Sequence, residues 1–128
     1  MASIAFAYPD MNAAVDAAVK EMMRVRHWGE SSFVSFPIFY PSGSPVTVRV
    51  TPSVGGYRID DGGFAFRELE SVGFERSFPA AAGKARQESG LEQNRRCLFV
   101  EVPSEQLERA LSDVALAKYV LDTVRKNQ

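Results

Sequence analysis

Asp60 and Asp61 follow the stretch Tyr57-Arg58-Ile59, and Glu101 lies inside the apolar run Cys97-Leu98-Phe99-Val100-Glu101-Val102. If these stretches are neighbouring strands, the three carboxylates converge. Two carboxylates suffice to hold a magnesium ion beside substrate phosphates, which is the chemistry of a metal-dependent nuclease. The usual nuclease continuation, a strand acid followed by Glu-x-Lys, is absent, because Val102 and Pro103 follow Glu101. A structural reading is therefore preferred. Asp60 pairs with Arg49 or Arg58, and Asp61 caps the turn or the next helix.

The remaining reactive residues point away from catalysis. Cys97 opens an apolar strand and no general base accompanies it, so it reads as a small buried hydrophobe. His27, beside Trp28, reads as a helix-end cation or packing residue. With one Cys and one His in the chain, no disulfide forms and any metal site depends on carboxylates, so no metal and no cofactor is expected. The serines have no nucleophile-elbow motif around them. Gly62-Gly63 lacks both the glycine spacing and the lysine of a phosphate-binding loop, and reads as a tight strand-to-helix turn.

Basic residues occur in small groups, Arg24/Arg26, Lys84/Arg86, Arg95/Arg96 and Arg125/Lys126. Gathered by folding they can grip phosphate, with Phe33 or Tyr40 stacking bases, which would make a nucleic-acid-binding regulator. Against this stand 15 Lys+Arg and 16 Asp+Glu, a net charge of −1, so strong electrostatic binding of nucleic acid is not expected. Phe33 and Phe39 lie on the face of their strand opposite Val34, Phe36 and Ile38. Either both sheet faces are covered or one carries an aromatic patch suited to a protein partner. Two short helices remain to be packed, which favours a covered face.

The elements that must position these residues follow from periodicity. Asp10 caps a helix carrying Met11, Val15, Ala18, Val19 and Met22 at helical spacing, and Gly29 stops it. Ser32 to Tyr40 alternates as an edge or bulged strand, because Pro37 cannot donate to a ladder. Val46, Val48 and Val50 alternate with Thr47, Arg49 and Thr51. Gly55-Gly56 predicts a two-residue hairpin turn, with Val54 facing Tyr57 and Pro52 facing Ile59. A short helix around Phe66 and Leu69 ends at Gly73, and a second runs from Pro79 to Gly90. After the Cys97–Val102 strand, Ser104 caps a long helix with the stripe Leu107, Leu111, Val114, Ala117, Leu121 and Val124. Residues 1–128 thus read as a single α+β domain, an antiparallel sheet of about four strands packed against N-terminal and C-terminal helices.

The segments Val50-Thr51-Pro52, Gly56-Tyr57-Arg58-Ile59-Asp60-Asp61-Gly62-Gly63-Phe64 and Leu69-Glu70-Ser71-Val72-Gly73-Phe74 resemble a bacterial and phage family, the "domain of unknown function eighteen-twenty-eight". The resemblance spans roughly Ser32 to Thr123. The family often carries Thr or Ser shortly after the glycine, where this chain has Ala65. The family has no assigned activity; the resemblance implies a phage or mobile-element setting, in which small proteins often bind and block a host protein.

Hydrophobic residues at 45% and charged residues at 24% of 128 fit one ordinary globular domain. No run approaches the roughly 18 apolar residues that span a bilayer, and Met1 to Tyr8 has no signal-peptide pattern, so a cytoplasmic, non-membrane protein is expected. The leading expectation is a small non-enzymatic protein-binding module, an inhibitor of a host defence effector of the CRISPR type. Its candidate binding residues are Phe33, Phe39, Asp60, Asp61, Arg95 and Arg96. The long helix also has an apolar flank, which leads to an expected homodimer with Leu116, Tyr119 and Val120 at its interface; packing of the alanine-rich first helix on that flank is the competing arrangement.

Overall fold

The computed structural model describes the backbone of residues 2–126 and the side chains of residues 10–119, 122 and 123. Helix α1 (Ala2–Met22) leads into strands β1 (Arg24–Trp28), β2 (Ser31–Phe39), β3 (Pro45–Ser53) and β4 (Gly56–Asp60). Helices α2 (Phe64–Ser71) and α3 (Phe78–Ser89) follow, then β5 (Glu92–Asn94), β6 (Cys97–Val102) and α4 (Leu107–Lys126). All strands join one six-stranded antiparallel sheet in the order β1-β2-β3-β4-β6-β5.

The sheet has two more strands than the sequence reading gave, and both additions have a physical cause. The first helix ends at Met22 rather than near Gly29. Arg24 to Trp28 instead pairs with β2, from Arg24↔Ser35 to Trp28↔Ser31, and Gly29 at φ 59 serves the hairpin turn. A left-handed glycine ends a helix or turns a hairpin equally well, and the pairing of Arg24–Trp28 with β2 puts Gly29 in a hairpin. Asp10 lies inside α1 and does not cap it. Strand β5 is only three residues long and fully exposed, so no apolar pattern announces it.

The β3–β4 hairpin turns on Val54-Gly55, with Ser53↔Gly56, Pro52↔Tyr57 and Val50↔Ile59 as partners. Gly55 supplies the positive φ, at 81. Gly56 begins β4, where the end of the neighbouring strand β6 lies close against it: a Cβ there would meet the Val102 carbonyl and lie 2.8 Å from the Pro103 Cα. The shift moves pairing by two positions in sum, so side chains keep their faces and Thr51 and Arg49 still share a side with Arg58 and Asp60.

Helices α2, α3 and α4 all cover one sheet face. Val46, Val48, Ile59 and Leu98 pack there against Leu69, Phe78, Val114 and the alanines 81, 82, 85, 110, 115 and 117. Each such fully buried aliphatic side chain stabilises by roughly 1.5–3 kcal/mol, and the alanines let the helices approach closely. Ser104 does not cap α4; it sits in a short 3-10 turn, and its hydroxyl meets the Glu105 carboxylate at 3.4 Å. Every described side chain of α1 is exposed, Met11, Val15, Val19 and Met22 at about half their area. The N-terminal helix therefore neither packs on the sheet nor covers the α4 flank with its described residues. Leu116 and Tyr119 stay 49% exposed there, while the side chains of Val120, Leu121 and Val124 lie outside the described residues. Among the described residues no helix is long and apolar enough to cross a membrane.

Candidate functional site

Among the described residues, α2, α3 and α4 leave the second sheet face uncovered, which corrects the expectation that the short helices cover it. Strand pairing sets its rows. Arg26, Phe33, Arg49, Asp60, Phe99 and Glu92 form one continuous cross-strand row, and Thr51, Arg58 and Glu101 form the core of the next. Phe33 is half-buried in the middle of this face. Phe39, opposite Pro45 beyond a bulge, is 56% exposed. Trp28, at the edge, is 82% exposed. Tyr40 is buried in the core and is not available to stack a base.

Charge on the open face is organised around Asp60, whose side chain is fully buried. It accepts hydrogen bonds from Arg49 Nε at 3.1 Å and from the Gly62 amide at 2.8 Å, and pairs with Arg58 Nε at 3.7 Å. The Arg58 guanidinium also lies 3.9 Å from the centre of the Phe99 ring and reaches Glu101 at 4.0 Å. Ser53 Oγ donates to the other oxygen of Glu101 at 3.1 Å. The result is a ladder of hydrogen bonds and ion pairs, Arg49–Asp60–Arg58–Glu101–Ser53, across β3, β4 and β6. Preorganised aromatic and arginine side chains lose little entropy on docking.

Asp61 does something else. Being the next residue, it points the opposite way, where Oδ1 accepts from the Gly63 amide at 2.9 Å and the Leu98 amide at 3.1 Å, and Oδ2 from the Ala65 amide at 3.4 Å. It caps α2 and ties that helix to β6. Burial pushes its carboxyl above the usual range, opposed by the three amides and the Cys97 thiol. Since the folded protein then holds this proton more tightly than the unfolded chain, stability is greatest below the ordinary carboxylate pKa, about 4, and falls as pH rises through the higher folded value. Asp61→Asn should flatten that decline, as measured by urea unfolding at a series of pH values from 4 upward; an unchanged slope would assign the decline to another group.

The structure therefore places Asp60 and Glu101 on the open face and Asp61 on the helix side, with Asp60 and Asp61 fully engaged. Among the described residues no three His, Cys, Asp or Glu side chains are grouped to hold a metal ion. Cys97 is half-buried, and burial with the nearby Asp61 and Asp60 charges pushes its thiol up to about 11, so it is protonated at neutral pH. Burial likewise raises the Tyr40 hydroxyl. His27 sits in β1 rather than at a helix end, with Nδ1 2.7 Å from Ser32 Oγ. Arg95 and Arg96 form the β5–β6 turn at one end of the open face, between Asn94 and its partner Cys97. Sequence reasoning named Arg58 only as a partner for Asp60, and did not pick out Trp28 and Phe99. The alternation Cys97, Phe99, Glu101 against the Arg58/Asp60 register carries the signal for Phe99; Trp28 was hidden by the helical reading of β1.

No family model, no curated protein and no solved structure matches the chain.

Proposed function

We propose that the protein is a small non-enzymatic protein-binding module of phage or mobile-element type, which docks a host protein on its open sheet face and thereby inhibits a defence effector of the CRISPR type. The observation that carries this reading is the composition of that face: Trp28, Phe33, Phe39 and Phe99 stand among arginines already fixed by Asp60 and Glu101. Aromatic residues and arginine are the side chains that dominate protein interfaces. The phage setting rests on the family resemblance in the Gly56–Phe64 and Leu69–Phe74 segments.

Affinity capture from host lysate tests it with three proteins: wild type, Phe33→Glu and the α4 surface variant Arg109→Glu, whose native side chain is 86% exposed. The expected result is one host protein retained by wild type and Arg109→Glu and lost from Phe33→Glu. Equal retention by all three, or none above background, overturns the reading.

A second reading, a nucleic-acid-binding regulator, is favoured by Arg24, Arg26, Arg49, Arg58, Arg95 and Arg96 all lying on or beside the face that holds Phe33. It requires affinity that falls steeply with added salt. The chain also forms a two-fold dimer in this account, through the exposed α4 flank of Leu116 and Tyr119. Light scattering after size exclusion should give twice the 14.1 kDa chain mass, and a mass near 14.1 kDa rejects the dimer.

A further inference from the structure

A cleft of 540 Å³ opens where β4 hands over to α2, lined by Arg49, Gly62, Gly63, Arg95, Arg96 and Cys97, with Asn94 at its rim. Three arginines line it, and no described carboxylate comes within ion-pair distance of Arg95 or Arg96. Arg49 uses Nε on Asp60, which fixes the side chain while leaving its two terminal nitrogens for a ligand. Arg96 is braced differently, its guanidinium 4.3 Å from the centre of the Phe66 ring. Arg95 is the one non-glycine residue at positive φ among the described residues, at 57, and Gln93 Nε2 donates to its carbonyl at 2.8 Å. The first central position of a two-residue hairpin turn with positive φ is a glycine position. An arginine there carries backbone strain that the turn itself does not need, and such strain is characteristic of functional positions.

We infer that this cleft is a phosphate-binding site, formed by Arg49, Arg95 and Arg96 over the Gly62-Gly63 turn. Three arginine forks exceed what one carboxylate can satisfy and match the three outward oxygens and double charge of a phosphate group. The amides of Gly62 and Gly63 already bond Asp60 and Asp61, so side chains rather than a glycine-loop cradle would grip the anion; the glycines keep the floor free of Cβ atoms. The phosphate can belong to a free nucleotide or to the backbone of a single strand. The site is independent of the protein-docking reading.

Isothermal titration calorimetry with inorganic phosphate, adenosine monophosphate and a ten-nucleotide oligothymidine tests it on wild type, Arg95→Gly, Arg96→Gln and Arg109→Gln, a charge control on α4 whose side chain is 86% exposed. Wild type should bind at least one of the three probes with submillimolar affinity. Arg95→Gly and Arg96→Gln should weaken that binding about tenfold or more, and Arg109→Gln should change it less than twofold. Arg95→Gly should also unfold at a higher temperature than wild type, because glycine relieves the positive φ while removing the guanidinium. Tighter binding of the monophosphate than of the oligothymidine identifies a nucleotide site, and the reverse identifies a strand. Absence of binding by all three probes at millimolar concentration overturns the proposal. So does an equal loss in Arg109→Gln, which would reduce the effect to overall charge.

Discussion

Gly56→Ala should destabilise the domain by roughly 3 kcal/mol, seen as a lower urea midpoint with an unchanged m-value. The new methyl group would occupy the place of the Val102 carbonyl and press on the Pro103 Cα, 2.8 Å away. Both obstacles are backbone, so relief requires β6 to move off β4. Gly55→Ala is the control. Its site is open, with nothing within 4 Å, and only the φ of 81 resists a side chain; the expected cost is about 1–2 kcal/mol. The pair separates the observed register from the Gly55-Gly56 turn, because a Gly56 in the turn would stand in open solvent. Equal costs at the two positions would favour that other register.

The second large effect concerns the adjacent aspartates, which look alike in sequence and act differently. Asp61→Ala leaves the buried Leu98 amide, the Gly63 amide and the Ala65 amide of α2 without their side-chain acceptor. Losing a cap costs about 1 kcal/mol and an orphaned buried amide about 1–3 kcal/mol. Relief of the desolvation of this buried carboxyl offsets part of this, for a net of about 2–3 kcal/mol. Asp60→Ala removes two arginine contacts, but Arg49 and Arg58 are 41% and 27% exposed and can turn to water. Only the Gly62 amide is stranded, so a cost of about 1–2 kcal/mol is expected. Chemical denaturation of the two variants checks the order. A larger loss for Asp60→Ala would mean that the open-face ladder, not the α2 cap, holds this corner together.

Much of the helix-covered half of the molecule was legible because burial writes period into sequence. The valines 46, 48 and 50, alternate residues Leu98, Val100 and Val102 of β6, and Leu107, Leu111, Val114 and Ala117 of α4 face the core and alternate or repeat accordingly. The roles of the two aspartates were legible as well, since a strand-end acid beside arginines and a turn acid before a helix have few other partners. What stayed hidden lacks burial. Strands β1 and β5 are exposed along their whole length, so nothing forces a pattern on them. The stripe on α1 has helical spacing, yet its described part packs on nothing, which periodicity alone cannot reveal. The uncovered sheet face was also misjudged, because the sequence shows that two short helices exist and not which side they take. The Arg95–Arg96 cleft depends on a turn whose defining feature, a positive φ at arginine, has no sequence signature.

The central claim is that the open sheet face is the working surface, and hydroxyl-radical footprinting of the captured complex tests it most directly. Aromatic side chains report their own solvent exposure through oxidation, and this chain has them on both sides. If the account is right, oxidation at Trp28, Phe33 and Phe39 falls several-fold in the complex while Phe64, exposed at the start of α2, keeps its free-state rate. Protection of Phe64 with Trp28, Phe33 and Phe39 unchanged would contradict it.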